Sequence, residues 1–171
     1  MNLELNEVNA SLVNFNARAE IHGQEKEPAG DLKIKVSLSN DCLAMFHPTL
    51  KAMLYHYDKT ADADLVDKAM QQESGYAPHL RFAEIPSIAW KSEMIGVKCI
   101  IHNGIDEKSS IVLDPCNVNN ILIEPQQGGT VFVTFRVQSH PDETQFGKLC
   151  GMIGTEIVVS LEIPKSEVGQ E

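Results

Sequence analysis

The side chains able to do chemistry in this chain are scattered, and their spacing argues against most reactions. The six histidines are His22, His47, His56, His79, His102 and His140. The densest ligand-like cluster is His140-Pro141-Asp142-Glu143, with Cys150 ten residues after His140. A zinc or iron site needs three or four ligands converging in fixed geometry. A contiguous H-P-D-E run reads better as a turn entering a capped helix, so no metal ligand and no cofactor are expected. Nucleophilic catalysis has no G-x-S-x-G elbow and no recognisable Ser/His/Asp order to build on. A Cys–His pair stays open, because such partners meet in space and not along the chain. Asp114 comes nearest to an active-site carboxylate, yet Asp-Pro is an ordinary turn dipeptide. Gly128-Gly129 and Gly151 fit neither a P-loop nor a dinucleotide fingerprint. The expectation is no catalytic residue and a protein that works by binding.

Binding chemistry is better represented. A sheet that takes single-stranded nucleic acid sets aromatic rings beside Lys or Arg on its wet face. Alternation places Lys33, Lys35, Phe132, Thr134 and Arg136 on outward faces, and the middle segment adds Arg81, Phe82, Trp90 and Lys91. Lys33, Lys35, Arg81, Trp90, Phe132 and Arg136 are the candidate nucleic-acid contacts. Phe132 and Phe135 face opposite ways, so Phe132 is either a stacking platform or packing beneath a helix over 142–153.

Charge limits this reading. With 24 acidic and 14 basic residues the net charge is −10, which opposes whole-surface attraction to nucleic acid or anionic membrane. A focused patch is still allowed. The carboxylates are dispersed, which suits solubility more than imitation of a phosphate backbone.

The elements that must position these residues are strands. Strict every-second-residue alternation runs through 31–39, 94–102, 118–124, 130–139 and 155–164, the period of half-buried antiparallel strands. Segment 6–21 is moderately strand-like, with Ser11, Val13, Phe15, Ala17, Ala19 and Ile21 on one face. Polar 22–30 reads as a hairpin loop, 80–90 as an edge strand at best, 109–113 as a short strand, and Asn103-Gly104 as a turn. Helices are expected near 43–57 with a start at Pro48, over 59–72 with Leu65, Val66, Ala69 and Met70 inward, and over 142–153. In the last, Asp142 and Gln145 form a capping box and Phe146, Leu149, Cys150 and Ile153 the buried stripe. The expected fold is therefore α+β: β-rich, mainly antiparallel sheet or sheets with two to three helices packed on one side. All 171 residues suit a single domain, with a mobile tail over 165–171. Units 9–55 and 117–153 share the order strand, gap, strand, Asp cap, helix, and suggest an internal hairpin-plus-helix duplication.

The four cysteines, Cys42, Cys99, Cys116 and Cys150, include no CxxC pair and read as reduced core thiols of a cytoplasmic protein. No apolar run approaches the ~20 residues of a membrane-spanning helix. Met1-Asn2-Leu3-Glu4 does not begin a basic-then-apolar leader, so no signal peptide is expected.

The stretches LRFAEIPSIAWKSEMIGVKCIIHNG (80–104), GGTVFVTFRVQSHPDETQFGKLCGMIGTEIVVSLEIP (128–164) and HGQEKEPAGDLKIKVSLSND (22–41) resemble a group of uncharacterised tailed-phage and prophage accessory proteins. That resemblance implies a non-enzymatic accessory protein in the bacterial host cytoplasm and assigns no residue a role. Three modes of action remain. The first is binding a protein partner or self-association into a homo-oligomer. The second is single-stranded DNA binding in recombination or replication. The third is acidic inhibition of a host nucleic-acid-binding defence complex.

Overall fold

In the computed structural model, residues 1–22, 25–57, 75–102 and 109–164 are described. The expected helix over 59–72, the Asn103-Gly104 turn and the tail 165–171 lie outside them. The strands are β1 (Leu5–His22), β2 (Glu25–Ser39), β3 (Tyr55–His56), β4 (His79–Leu80), β5 (Ile88–Trp90), β6 (Met94–His102), β7 (Ile111–Pro125), β8 (Thr130–Ser139) and β9 (Glu156–Glu162). A 3-10 helix spans Asn40–Met45, and two α-helices, α1 and α2, span Leu50–Leu54 and Glu143–Met152.

The main sheet runs β5-β7-β6-β9-β1-β2-β8, and β8 pairs back onto β7. That last ladder, from Asn117↔Gln138 to Pro125↔Val131, closes six antiparallel strands into a barrel, with β5 as an outer strand on β7. The expectation of a sheet with helices packed on one side is therefore wrong. A closed sheet is its own second layer: inward residues of opposite strands bury one another, so no helical layer is needed. Leu32, Ile34, Val133, Phe135, Val137, Val97, Cys99, Ile101 and Val159 are all fully buried in this interior.

The helices instead close the two ends. At one end Leu43 and Phe46 of the 3-10 segment and Leu50 and Leu54 of α1 join the core. Buried Tyr55 ties that cap to the β7–β8 turn. Its hydroxyl lies 2.9 and 3.0 Å from the Gln126 and Thr130 carbonyls and accepts the Gln126 N–H at 3.0 Å. At the other end α2 buries Leu149, and Phe146 meets Phe15 edge to face at 4.9 Å. The capping box that starts α2 is formed in both directions, Gln145 N–H to Asp142 at 2.8 Å and Asp142 N–H to Gln145 at 3.1 Å. Cys150 and Ile153, expected on the buried stripe, are exposed, because this short helix meets the core along Phe146, Leu149 and Met152.

Three further departures have local causes. A bulge between Leu12 and Asn14 switches the parity of β1, so Leu12 and Phe15 are buried while Val13 is 42% exposed. Most of the expected 22–30 loop is strand: β2 already begins at Glu25, and the hairpin is paired out to His22↔Glu25. The segments 109–113 and 118–124 belong to one bulged strand, β7, which runs through Asp114-Pro115.

A candidate anion-binding groove

A concavity of about 680 Å³ lies on the outside of the barrel. Its floor and walls come from five strands: Asn14 and Asn16 of β1, Lys33 of β2, Thr134 and Arg136 of β8, Asn119, Asn120 and Leu122 of β7, and Trp90 with Lys91 at the end of β5. Two local features shape it. A second bulge, between Asn119 and Leu122, leaves Asn120 at a φ of 50°, a left-handed conformation that Asn tolerates better than most residues. β5 then continues along the edge of β7 beyond β6 and raises Trp90 as a wall. The ring of Trp90 is steadied by Phe46, edge to face at 5.7 Å.

Lys33 and Arg136 are directly opposed in the β2–β8 ladder, and Asn14 and Asn119 extend the same row on either side. Like charges opposite one another across strands repel. Neither cation has an ion pair among the described residues. Arg136 Nε donates to the Asn119 amide oxygen at 2.8 Å, a neutral partner. Asp31, a carboxylate that also lines the groove, is committed to Arg18 Nε at 3.0 Å and to Gln138 Nε2 at 3.4 Å. Asn119 in turn donates to Gln138 at 2.7 Å and to Glu93 at 3.1 Å. The amide row thus fixes the Arg guanidinium and leaves its charge available. In a chain of net charge −10, Lys33, Arg136 and Lys91 concentrate positive charge in one place. An anion seated between the first two would relieve their repulsion.

Of the sequence candidates, Lys33, Trp90 and Arg136 therefore meet in one groove. Lys35 lies two residues beyond Lys33 along β2 and Phe132 four residues from Arg136 along β8, lining a neighbouring depression of about 360 Å³ with Ser11 and Ser37. Phe132 does not pack under a helix. The Lys35 ammonium caps its ring at 4.3 Å from the centroid and also pairs with Glu124 at 3.5 Å. Arg81 is elsewhere, donating its Nε to the Ala52 carbonyl at 2.9 Å in the α1 end cap. Sequence reasoning missed the amides. The signal was the N-V-N-N run 117–120, whose bulge was needed to turn successive asparagines toward one concavity.

The other candidate chemistry is dispersed. His140 pairs with Glu20 at 2.9 Å and Asp142 caps α2, and among the described residues no three potential metal ligands converge. Hydrogen bonding from His140, and then from Arg18, holds the Glu20 carboxyl below its ordinary range. All four cysteines are free, and three are buried. Burial pushes the Cys42 and Cys116 thiols up to about 12 and raises that of Cys99 as well, which removes the thiolate needed of a nucleophile at neutral pH. Among the described residues no helix is long and apolar enough to cross a membrane.

No protein-family model, curated protein or solved structure matches this chain. The groove has to be read from its own chemistry.

Proposed function

We propose that this chain is a non-enzymatic accessory protein that acts by binding, and that the groove takes a short stretch of single-stranded nucleic acid. The observation that carries this reading is the opposed Lys33–Arg136 pair, neither member in an ion pair among the described residues, on the floor of a concavity of about 680 Å³ in an acidic protein. A backbone phosphate supplies the missing counter-charge. Trp90 on the adjoining wall offers ring surface for a base, and the outward amides of Asn14, Asn16 and Asn120 offer donors and acceptors for base edges or sugars. Phages that recombine or replicate their DNA expose single strands in the host cytoplasm, which is where the resemblance to phage accessory proteins would place this activity. Real proteins break local rules, such as keeping like charges apart, mainly at functional sites.

Fluorescence anisotropy with a labelled single strand and with the duplex of the same sequence, each at low and at moderate salt, tests the proposal. The single strand should bind at low salt, weaken as salt rises, and outcompete the duplex. Absence of binding at low salt would remove the reading.

A further inference from the structure

The β1–β2 hairpin is longer than the barrel it helps to build. β2 leaves β8 at Gly30↔Ser139 and β1 leaves β9 at Ser11↔Glu156, yet β1 and β2 remain paired through Ala19↔Pro28 to His22↔Glu25. Past Asn16 the hairpin is a two-stranded arm, and among the described residues no strand pairs with β1 on its other edge. Open edges of this kind recruit further strands unless they are guarded.

The arm's two edges differ. Antiparallel ladders alternate hydrogen-bonded and non-hydrogen-bonded pairs. Pro28 has no N–H, so it fits where its nitrogen faces away from β1. Ala19↔Pro28 is then a non-hydrogen-bonded pair, and Ala17 and Ala19 aim their own N–H and C=O groups outward, at the open edge. The outer edge of β2 carries the proline. The β1 edge carries exposed Ala17 and Ala19, with Arg18 and Glu20 beside them.

That pattern is complementary to itself. If the edge meets the same edge of a second copy, antiparallel and centred on Ala19, then Ala19 faces Ala19. Arg18 faces Glu20 twice, at non-hydrogen-bonded positions where side chains approach most closely. Centring on Ala17 instead sets Arg18 opposite Asn16 and loses both ion pairs. Arg18 already holds Glu20 and Asp31 within the chain, and Glu20 also takes His140; a guanidinium has five donors and a carboxylate about four acceptor sites to share.

We infer that the chain dimerises about a two-fold axis by pairing the 17–20 edges of two β1 strands into one continuous sheet, with Arg18 of each copy against Glu20 of the other. The partner is a second copy of this chain, and the contact is isologous. This is independent of the groove and what it binds.

Sedimentation velocity on the full chain, over a range of concentrations, is the first measurement. The wild type should sediment at twice the chain mass. Ala19→Pro, which deletes the central outward N–H, should sediment at the chain mass with an unchanged circular-dichroism melt. The register is tested in a Cys150→Ser background, since Cys150 is the exposed cysteine. There, Ala19→Cys should cross-link under mild oxidation, because facing residues lie ~5.5 Å apart. Ala17→Cys should not, because its two copies lie ~13 Å apart along the strands. A wild type that stays monomeric at the highest attainable concentration overturns the inference. So does a folded Ala19→Pro dimer, or equal cross-linking at both positions. Should Ala19→Pro fail to fold, the cysteine pair decides alone.

Discussion

The two faces of β8 carry opposite kinds of information. Inward, Val131, Val133, Phe135 and Val137 are all fully buried and make one wall of the barrel interior. Outward, Phe132, Arg136 and Gln138 are half-exposed and are held by polar or cationic neighbours: Lys35, Asn119 and Asp31. Neighbouring residues three to four ångströms apart along one backbone therefore answer to different physics. The inner set is fixed by volume and dryness. The outer set is fixed by hydrogen-bond geometry and leaves positive charge unspent.

The largest test of that contrast is Phe135→Ala. It should remove about 3–5 kcal/mol of stability by chemical denaturation, while any protein that remains folded keeps its affinity for single strands. A loss below about 1 kcal/mol would mean the interior is not close-packed. Gly30→Ala probes the same interior where the arm leaves the barrel. A Cβ there would stand 2.3 Å from the Phe15 ring, which Phe146 already holds at 4.9 Å. Overpacking of this kind should lower the melting midpoint by an amount equivalent to about 1–3 kcal/mol. Arg136→Ala is the mirror experiment. Stability should move by less than about 0.5 kcal/mol, or rise slightly as cross-strand repulsion is relieved, while single-strand affinity falls several-fold by anisotropy.

The smallest expected effect is a pH dependence far from the groove. A hydrogen bond from Lys51 holds the Asp41 carboxyl below its ordinary value. Its contribution is thus fully present above the ordinary carboxylate pKa and is lost as pH falls through the lowered folded value. Lys51→Met should flatten that acid limb of the stability curve and leave neutral-pH binding unchanged. The effect is small because the Asp41 side chain is 77% exposed.

Local pattern made some of this legible and hid the rest. Alternation identified the inward residues of β2, β8 and β9 and those of β6 from Val97 on, a bulge between Met94 and Val97 leaving Ile95 71% exposed, and the Asp142–Gln145 capping box marked the start of α2. Closure was invisible, because β2–β8, β6–β9 and β1–β9 are long-range ladders whose partners no local period names. Bulges were invisible for a related reason. One inserted residue at Val13 reverses which side chains are wet, and the sequence carries no mark of it. The groove was half readable: Lys33, Trp90 and Arg136 stood out by type. Their convergence, the asparagine row between them and the distance of Arg81 from all of them required the barrel.

The proposed phosphate seat needs Lys33 and Arg136 together. The most direct measurement is the slope of log Kobs against log salt for single-strand binding by the wild type and by a Lys33→Gln, Arg136→Gln double variant. Each single-strand phosphate contact contributes about −0.7 to the slope. The double variant should bind more weakly, with a slope shallower by about 0.7 and an unchanged melting midpoint. Equal slopes and affinities in the two proteins would contradict the shared seat.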